Sequence, residues 1–435
     1  MKNTQIISEQ IFRAALREAA PGEAVRREMG RVQTLYRDGG FHRLVTVGFG
    51  KAATAMAGAL AESLGDLVDA GLVITKYGHA LTFVPGRIKI FEAGHPVPDR
   101  NGLQATEELI RLVQAADERT LIVTLISGGG SALLVSPLDG ISLADKQRTT
   151  SLLLNAGADI GELNTVRKHL SRVKGGRLAE AAFPATVVSL ILSDVIGDRL
   201  DVIASGPTAA DPTTFGEALG IFERYRLSEA VPPPVLELLC RGDRGDIPET
   251  PKTGSPFLDR VENIIVGSNR QAIEAAARSA RVLGFPVEIL SAELTGEARE
   301  VGRQLARQAL AAAGSKGGNA GHCLLAGGET TVTVRGQGKG GRNMELALAF
   351  AMEIEGQPGI TLLSAGTDGT DGPTDAAGAI VDGETVAKAR EQGLDPREYL
   401  DNNDSYTFFK TFGGLLVTGA TGTNVMDLQI ILIDQ

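Results

Sequence analysis

The chain has 435 residues, 43% of them hydrophobic, with no tryptophan and few other aromatics, so a core spread over two domains must be built from Ala, Leu, Val and Ile. A net charge of −10 without a long basic run argues against a nucleic-acid surface, and no apolar run is long enough to span a bilayer. The two cysteines, Cys240 and Cys323, lie far apart without metal-ligand spacing, which fits a reduced, cytoplasmic setting.

Residues 1–20 carry Lys, Glu and Arg among Ile7, Ile11 and Leu16, and read as an amphipathic surface helix rather than a signal peptide. From residue 44 strands and helices alternate: strand 44–49, helix 52–64, strands 72–75 and 88–92, helix 101–116, strand 120–126. Helical segments follow across 142–155 and 161–178, then a strand at 186–192. Runs that are apolar throughout and separated by helices mark a parallel sheet covered on both faces. The pattern breaks between 231 and 257, at Pro232-Pro233-Pro234 and the polar stretch up to Pro256. The expected division is a domain at 1–235, a linker at 236–256 and a domain at 257–435. Alternation then restarts with strand 263–266, helix 270–283, strand 287–290 and helix 296–313, and continues to the C-terminus.

Several loops carry candidate chemistry. Gly48-Phe49-Gly50-Lys51-Ala52-Ala53 follows a strand with the spacing of a dinucleotide loop. The acid expected after the next strand to hold a ribose is replaced by Lys76, which could take a 2′-phosphate. Lys51 at a helix N-terminus opposes the helix dipole unless an anion compensates it. Ser127-Gly128-Gly129-Gly130-Ser131 lies at the C-terminal end of an apolar strand, where open parallel sheets bind ligands; its plain alternative is a tight turn. In the basic segment 164–177, Arg167, Ser171 and Lys174 share a helix face that could bind a carboxylate or phosphate, or simply face solvent. Asp194 and Asp198 follow a strand, where an aspartate can ligate magnesium, accept a proton or cap a turn. Asp368, Asp371 and Asp375 compete for the same roles. His95 could contact substrate or make a structural hydrogen bond.

The densest motif is Gly336-Gln337-Gly338-Lys339-Gly340-Gly341-Arg342-Asn343. It follows an alternating, strand-like run at 331–335 and opens a helical run at 345–354. Glycines permit close backbone approach, a helix start offers N–H groups, and Lys339 and Arg342 add charge, so the loop reads as a phosphate site. Cations here and acids in the Ser364–Asp375 loop are what metal-assisted phosphoryl transfer requires.

Taken in order, these motifs resemble the glycerate 2-kinase family with a C-terminal MOFRL domain, over essentially the whole chain. The resemblance implies an α/β fold of two domains: an N-terminal Rossmann-like parallel-sheet domain and a C-terminal α/β MOFRL-type domain, with the active site in the cleft between them. It implies ATP- and magnesium-dependent phosphorylation of D-glycerate at its 2-hydroxyl. It also implies that a lysine and an arginine, here Lys51 and Arg342, flank the reaction; of the aspartates read above, Asp194 is the first choice for catalytic base or magnesium ligand and Asp368 the second. Met344 and Ala420 depart from the expected Gln and Pro. The resulting expectations are nucleotide contacts from Ser127, Gly128, Gly129, Gly130, Ser131, Lys339, Gly340 and Gly341. Substrate contacts are expected from Arg167, Lys174, His95 and Asp368, and magnesium on Asp194 and Asp371. Relatives are often named hydroxypyruvate reductase; a hydride-transfer site would rest on the Gly48 loop, Lys76 and His95, and would leave the Gly338 and Ser364 loops without a role. The expected partner is a small substrate, with neither nucleic acid nor membrane, in a monomer or homodimer.

Overall fold

A computed structural model describes residues 2–80, 86–314 and 321–434. The chain forms two compact units, one made of Pro21–Val266 and the other of Met1–Ala20 with Gly267–Gln435.

The Pro21–Val266 unit is built on six strands: β1 (Arg43–Phe49), β2 (Ala70–Lys76), β3 (Ile88–Ala93), β4 (Thr120–Ile126), β5 (Thr186–Leu192) and β6 (Val261–Gly267), in the order β3-β2-β1-β4-β5-β6. The pairs from β3 through to β5 are parallel. Val45, Val47, Ile122, Ile126, Val187 and Ile191 bury against the helices Arg100–Gln114 and Arg177–Ala182, which is why these strands read as unbroken apolar runs. The order reverses between β1 and β4, so the loops after these strands stand side by side at the carboxyl edge of the sheet.

The expected linker is part of this unit. Pro233 opens a helix, Pro233–Asp243, whose Val235, Leu238 and Leu239 are buried with Phe215 and Phe222. A proline run at a helix start costs nothing there, because the first N–H groups have no helical partner. β6 likewise closes this sheet instead of opening the next domain. The chain therefore passes between units at Ala20–Pro21 and Val266–Gly267, not across 236–256.

The second unit holds a mixed sheet of β7 (Val287–Leu294), β8 (His322–Gly328), β9 (Ile360–Gly366), β10 (Gly378–Asp382), β11 (Leu415–Leu416) and β12 (Asp427–Ile433), ordered β11-β10-β9-β12-β8-β7. Only β7 and β8 are shown parallel; β12 runs antiparallel between β8 and β9. The helices Ala298–Gly314 and Arg342–Glu353 share the core on one side through Val301, Leu305, Leu346 and Phe350. The N-terminal helix, Lys2–Glu18, belongs here too: Ile11, Phe12 and Ala15 are buried, and Thr4 hydrogen-bonds Thr361. It is the expected amphipathic surface helix, with its apolar face docked on this unit. No strand forms at 331–335; Thr331 makes only an isolated bridge to Glu297.

Candidate active site

In the first unit, the loops after β1, β4 and β5 converge. The Lys51 N–H donates to the Gly128 carbonyl at 2.9 Å and the Ala52 N–H to Ser127 Oγ at 3.1 Å. Gly50, at φ 130°, has no room for a side chain: a Cβ there would stand 2.2 Å from Ser127 Oγ. The glycines of the next loop are bare for a different reason. A Cβ on Gly128 would meet Asp194 Oδ2 at 2.3 Å, and one on Gly129 (φ 81°) would meet His95 Cδ2 at 3.0 Å and Lys51 Cγ at 3.3 Å. Three side chains expected to carry the chemistry thus lie directly over the glycine backbone.

Burial raises the Asp194 carboxyl above its ordinary range against the pull of its own backbone N–H and of Lys51. Burial, reinforced by Lys51, Lys76 and His79, pushes the His95 imidazole down to about 4, so it is neutral near pH 7. Beside them, Ser131 Oγ and Ser205 Oγ are 2.8 Å apart, and Ser205 Oγ donates to Asn164 Oδ1 at 3.1 Å. Ala204 (φ 50°) and Ser205 (φ 64°) both hold the left-handed conformation, a strain that surrounding structure must enforce.

Lys174 is not free to bind substrate. It is fully buried, and its ammonium nitrogen donates to the carbonyls of Ser131 (2.7 Å) and Leu134 (3.2 Å), bracing the glycine loop from behind. The basic run 167–169 divides. Lys168 pairs with Asp211 at 3.1 Å and Asp201 at 3.7 Å, and His169 with Glu249 at 3.1 Å. Arg167 has no such partner among the described residues. Asp198, at φ 52°, is a turn residue.

In the second unit, Arg342 is the first residue of its helix, and its guanidinium is fixed by acids. Nε and Nη2 donate to the two carboxylate oxygens of Asp427 at 2.5 and 2.9 Å, and Nη1 lies 2.8 Å from Glu329. Asp427 is 1% exposed and sits at the start of β12 between Gly328 and Gly366. Despite burial, these acids raise the arginine's pKa further.

The glycine loop before Arg342 spends its first part, 335–339, on the protein itself. The Arg335 and Gly336 N–H groups donate to Asn403 Oδ1, Gln337 to Asn402 Oδ1, Gly338 to the Asn402 carbonyl and Lys339 to Asp404 Oδ1. Its glycines make room for the 402–405 backbone: a Cβ on Gly336 would stand 2.3 Å from the Asn402 oxygen, and one on Gly340 2.4 Å from Ser405 Oγ. Lys339 stacks on the Tyr406 ring at 4.8 Å. The helix start is occupied as well, because Asp371 accepts from the Asn343 and Met344 N–H groups at 3.1 and 2.8 Å. Burial pushes the Asp371 carboxyl up to about 7 against those two bonds. A Cβ on Gly341 would stand 2.3 Å from Asp371 Cγ. Asp368 closes a local turn by accepting from the Thr370 N–H at 3.0 Å.

Sequence reasoning missed Asp427 and Glu329. An acid directly before the apolar run 428–433 was the available signal, since burial of such a residue demands a cation.

Two family profiles match the chain: a domain of unknown function, DUF4147, over residues 7–240, and the MOFRL family over 322–427. The D-glycerate 2-kinase of Thermotoga maritima is 45% identical over 98% of this chain and 97% of its own length. A protein of Agrobacterium vitis with a provisional hydroxypyruvate reductase name is also 45% identical, over 98% and 94%. The crystal structure of the glycerate kinase of Thermotoga maritima superposes with a TM-score of 0.90 at 44% identity, covering 100% of both chains.

Proposed function

Because this chain belongs to the glycerate kinase family that ends in a MOFRL domain, we propose that it transfers the γ-phosphoryl group of ATP to the 2-hydroxyl of D-glycerate, giving 2-phosphoglycerate and ADP. The observation that carries this reading is the placing of Lys51 and Asp194 over the bare glycines Gly128 and Gly129 at the reversal point of a parallel sheet. The Asp194 carboxylate takes the proton of the attacking hydroxyl, and burial, by raising its pKa, makes it the stronger base. The hydroxyl oxygen bonds to the γ-phosphorus as the bond to the β-phosphate bridging oxygen breaks. Lys51 offsets charge on the phosphoryl oxygens, and the loop 127–131 supports the nucleotide phosphates. Neutral His95 serves as a hydrogen-bonding contact to substrate.

Arg342 is the phosphate-directed cation of the second unit. Asp427 holds its planar group, and Glu329 is the partially exposed counter-ion that an arriving phosphate oxygen would replace. Among the described residues no group of three or more His, Cys, Asp or Glu forms a metal cage. That suits magnesium, which is held by one or two carboxylates plus phosphate oxygens and water. Asp194 would hold such an ion only in place of its role as base, whereas Asp371 has both oxygens committed to backbone N–H groups. When bound, the ion would offset phosphate charge.

The reductase reading is weaker on residue chemistry. Among the described residues no carboxylate orients His95 as a proton donor, and β2 ends in Lys76. The two readings separate in one assay: ADP release with ATP, magnesium and D-glycerate, beside NADH and NADPH oxidation with hydroxypyruvate. Reduced-nucleotide oxidation without ADP would overturn the kinase, and phosphorus NMR of the product distinguishes 2- from 3-phosphorylation.

A further inference from the structure

The geometry points to a carboxylate subsite formed by Arg167, with Lys146 buried behind it, that holds the acid group of the acceptor substrate. This rests on the kinase reading. Three consecutive basic residues end the helix Ile160–His169, and two are matched by acids: Lys168 by Asp211 and Asp201, His169 by Glu249. Arg167 is partly exposed, with five donors and no acidic partner among the described residues. Lys146 is 4% exposed, and its only hydrogen bond among the described residues is a long one, 3.4 Å, to the Arg167 carbonyl. Lys174, 0% exposed, is a third basic group close by; among the described residues its bonds go to carbonyls, and burial with the nearby Lys146 and Arg167 lowers its pKa well below the ordinary lysine value. Arg167 keeps its charge with no acid beside it, and the two buried amines next to it take up charge more readily when a ligand brings the missing anion. The pull of burial and of Arg167 and Arg177, which brings Lys146 down to about 7, agrees with that missing charge.

The cluster also adjoins the reacting groups. Asn164 lies one turn before Arg167 on the same helix face and is tied through Ser205 to Ser131, next to the loop that Asp194 and Lys51 cover. A 2-hydroxy acid carries its carboxylate one carbon from the hydroxyl that reacts, and an arginine fork binds a carboxylate through two parallel bonds. The buried lysines then select for charge: a neutral ester or glycerol supplies none.

Calorimetric titration of the full-length protein tests this, using D-glycerate, its methyl ester, glycerol and inorganic phosphate, with Arg167→Gln and Lys146→Met as variants. Wild type should bind D-glycerate and neither neutral analogue. Arg167→Gln should weaken D-glycerate roughly 10- to 150-fold, as expected for a lost bond to a charged group. KM for ATP should stay within about threefold, as expected when only acceptor binding is lost. Its unfolding midpoint should hold or rise, because an uncompensated charge has gone; a purely structural arginine would lower it. Retained D-glycerate affinity, or an equal loss of ATP or phosphate affinity, would overturn the subsite. If wild type binds lactate, tartronate or malate but not D-glycerate, the substrate assignment fails and the subsite is judged with that acid. Binding of none of them refutes the subsite.

Discussion

Two glycine-rich loops in this protein look alike in sequence and do opposite things. In 127–131 the glycines leave space that the Asp194 carboxylate, the His95 ring and the stem of Lys51 occupy. In 336–341 they leave space for the 402–405 segment and for Asp371, and the five consecutive N–H groups of 335–339 are consumed by Asn402, Asn403 and Asp404. A glycine run ahead of a helix is therefore a statement about close approach, not about anions. What approaches decides whether the loop is a site or a seam.

The largest effects should fall on the first loop. Lys51→Ala and Asp194→Asn are each expected to lower kcat on the order of 10²–10³, as for loss of one oriented group at a developing charge. Steady-state ADP release measures this, and turnover within threefold of wild type at either position would remove that residue from the chemistry.

The second loop separates its two cations. Arg342→Ala should lower kcat by a similar ~10²–10³, while Lys339→Ala, a lysine already stacked on Tyr406, should stay within about threefold, as a solvated side chain outside the chemistry would. Removing Arg342 also strands the buried Asp427, at ~3–5 kcal/mol of stability. The Arg342→Ala/Asp427→Ala double variant, read on folded protein, isolates the catalytic part. Equal losses at 339 and 342 would mean that the loop binds phosphate after all.

If 336–341 is a seam, its damage should be structural. Gly338→Ala would place a Cβ 2.3 Å from that of Asp404 and is expected to cost ~1–3 kcal/mol in urea unfolding, with kcat per folded molecule unchanged. A kcat loss without a shift in the urea midpoint would reverse that assignment.

The smallest effect compares the matched end of the Ile160–His169 helix with unmatched Arg167. Burial pushes the Glu249 carboxyl up, but the His169 hydrogen bond, the Phe215 N–H and the charges of His169 and Lys252 outweigh it and hold it at about 2. A depressed folded value contributes stability above the ordinary 4.5 and loses it as pH falls from there toward 2. Glu249→Gln should therefore flatten the thermal midpoint between pH 5 and 2 and lower it at pH 7. An unchanged acid limb would show that the His169–Glu249 pair carries no stability.

Much of the architecture was legible residue by residue. Strands buried on both faces announce themselves as apolar runs, which is how β1, β4 and β5 were found close to their observed ends. Lys51 and Asp194 stood out because a charge after such a strand needs a reason. The N-terminal helix was legible as amphipathic, but amphipathicity shows that a face is buried and not against what.

What the chain decided locally, then, is which segments are strands, where the backbone needs glycine and which charges follow a strand. Tertiary structure decided the partners. Asn403 reaches the N–H of Gly336 from 67 positions away, and Asp427 reaches Arg342 from 85. Pro232-Pro233-Pro234 became a helix start because Val235, Leu238 and Leu239 found a core to enter. Backbone freedom and hydropathy are properties of a residue and its neighbours, while the neutralising of a charge or the filling of an N–H depends on whatever the fold brings alongside.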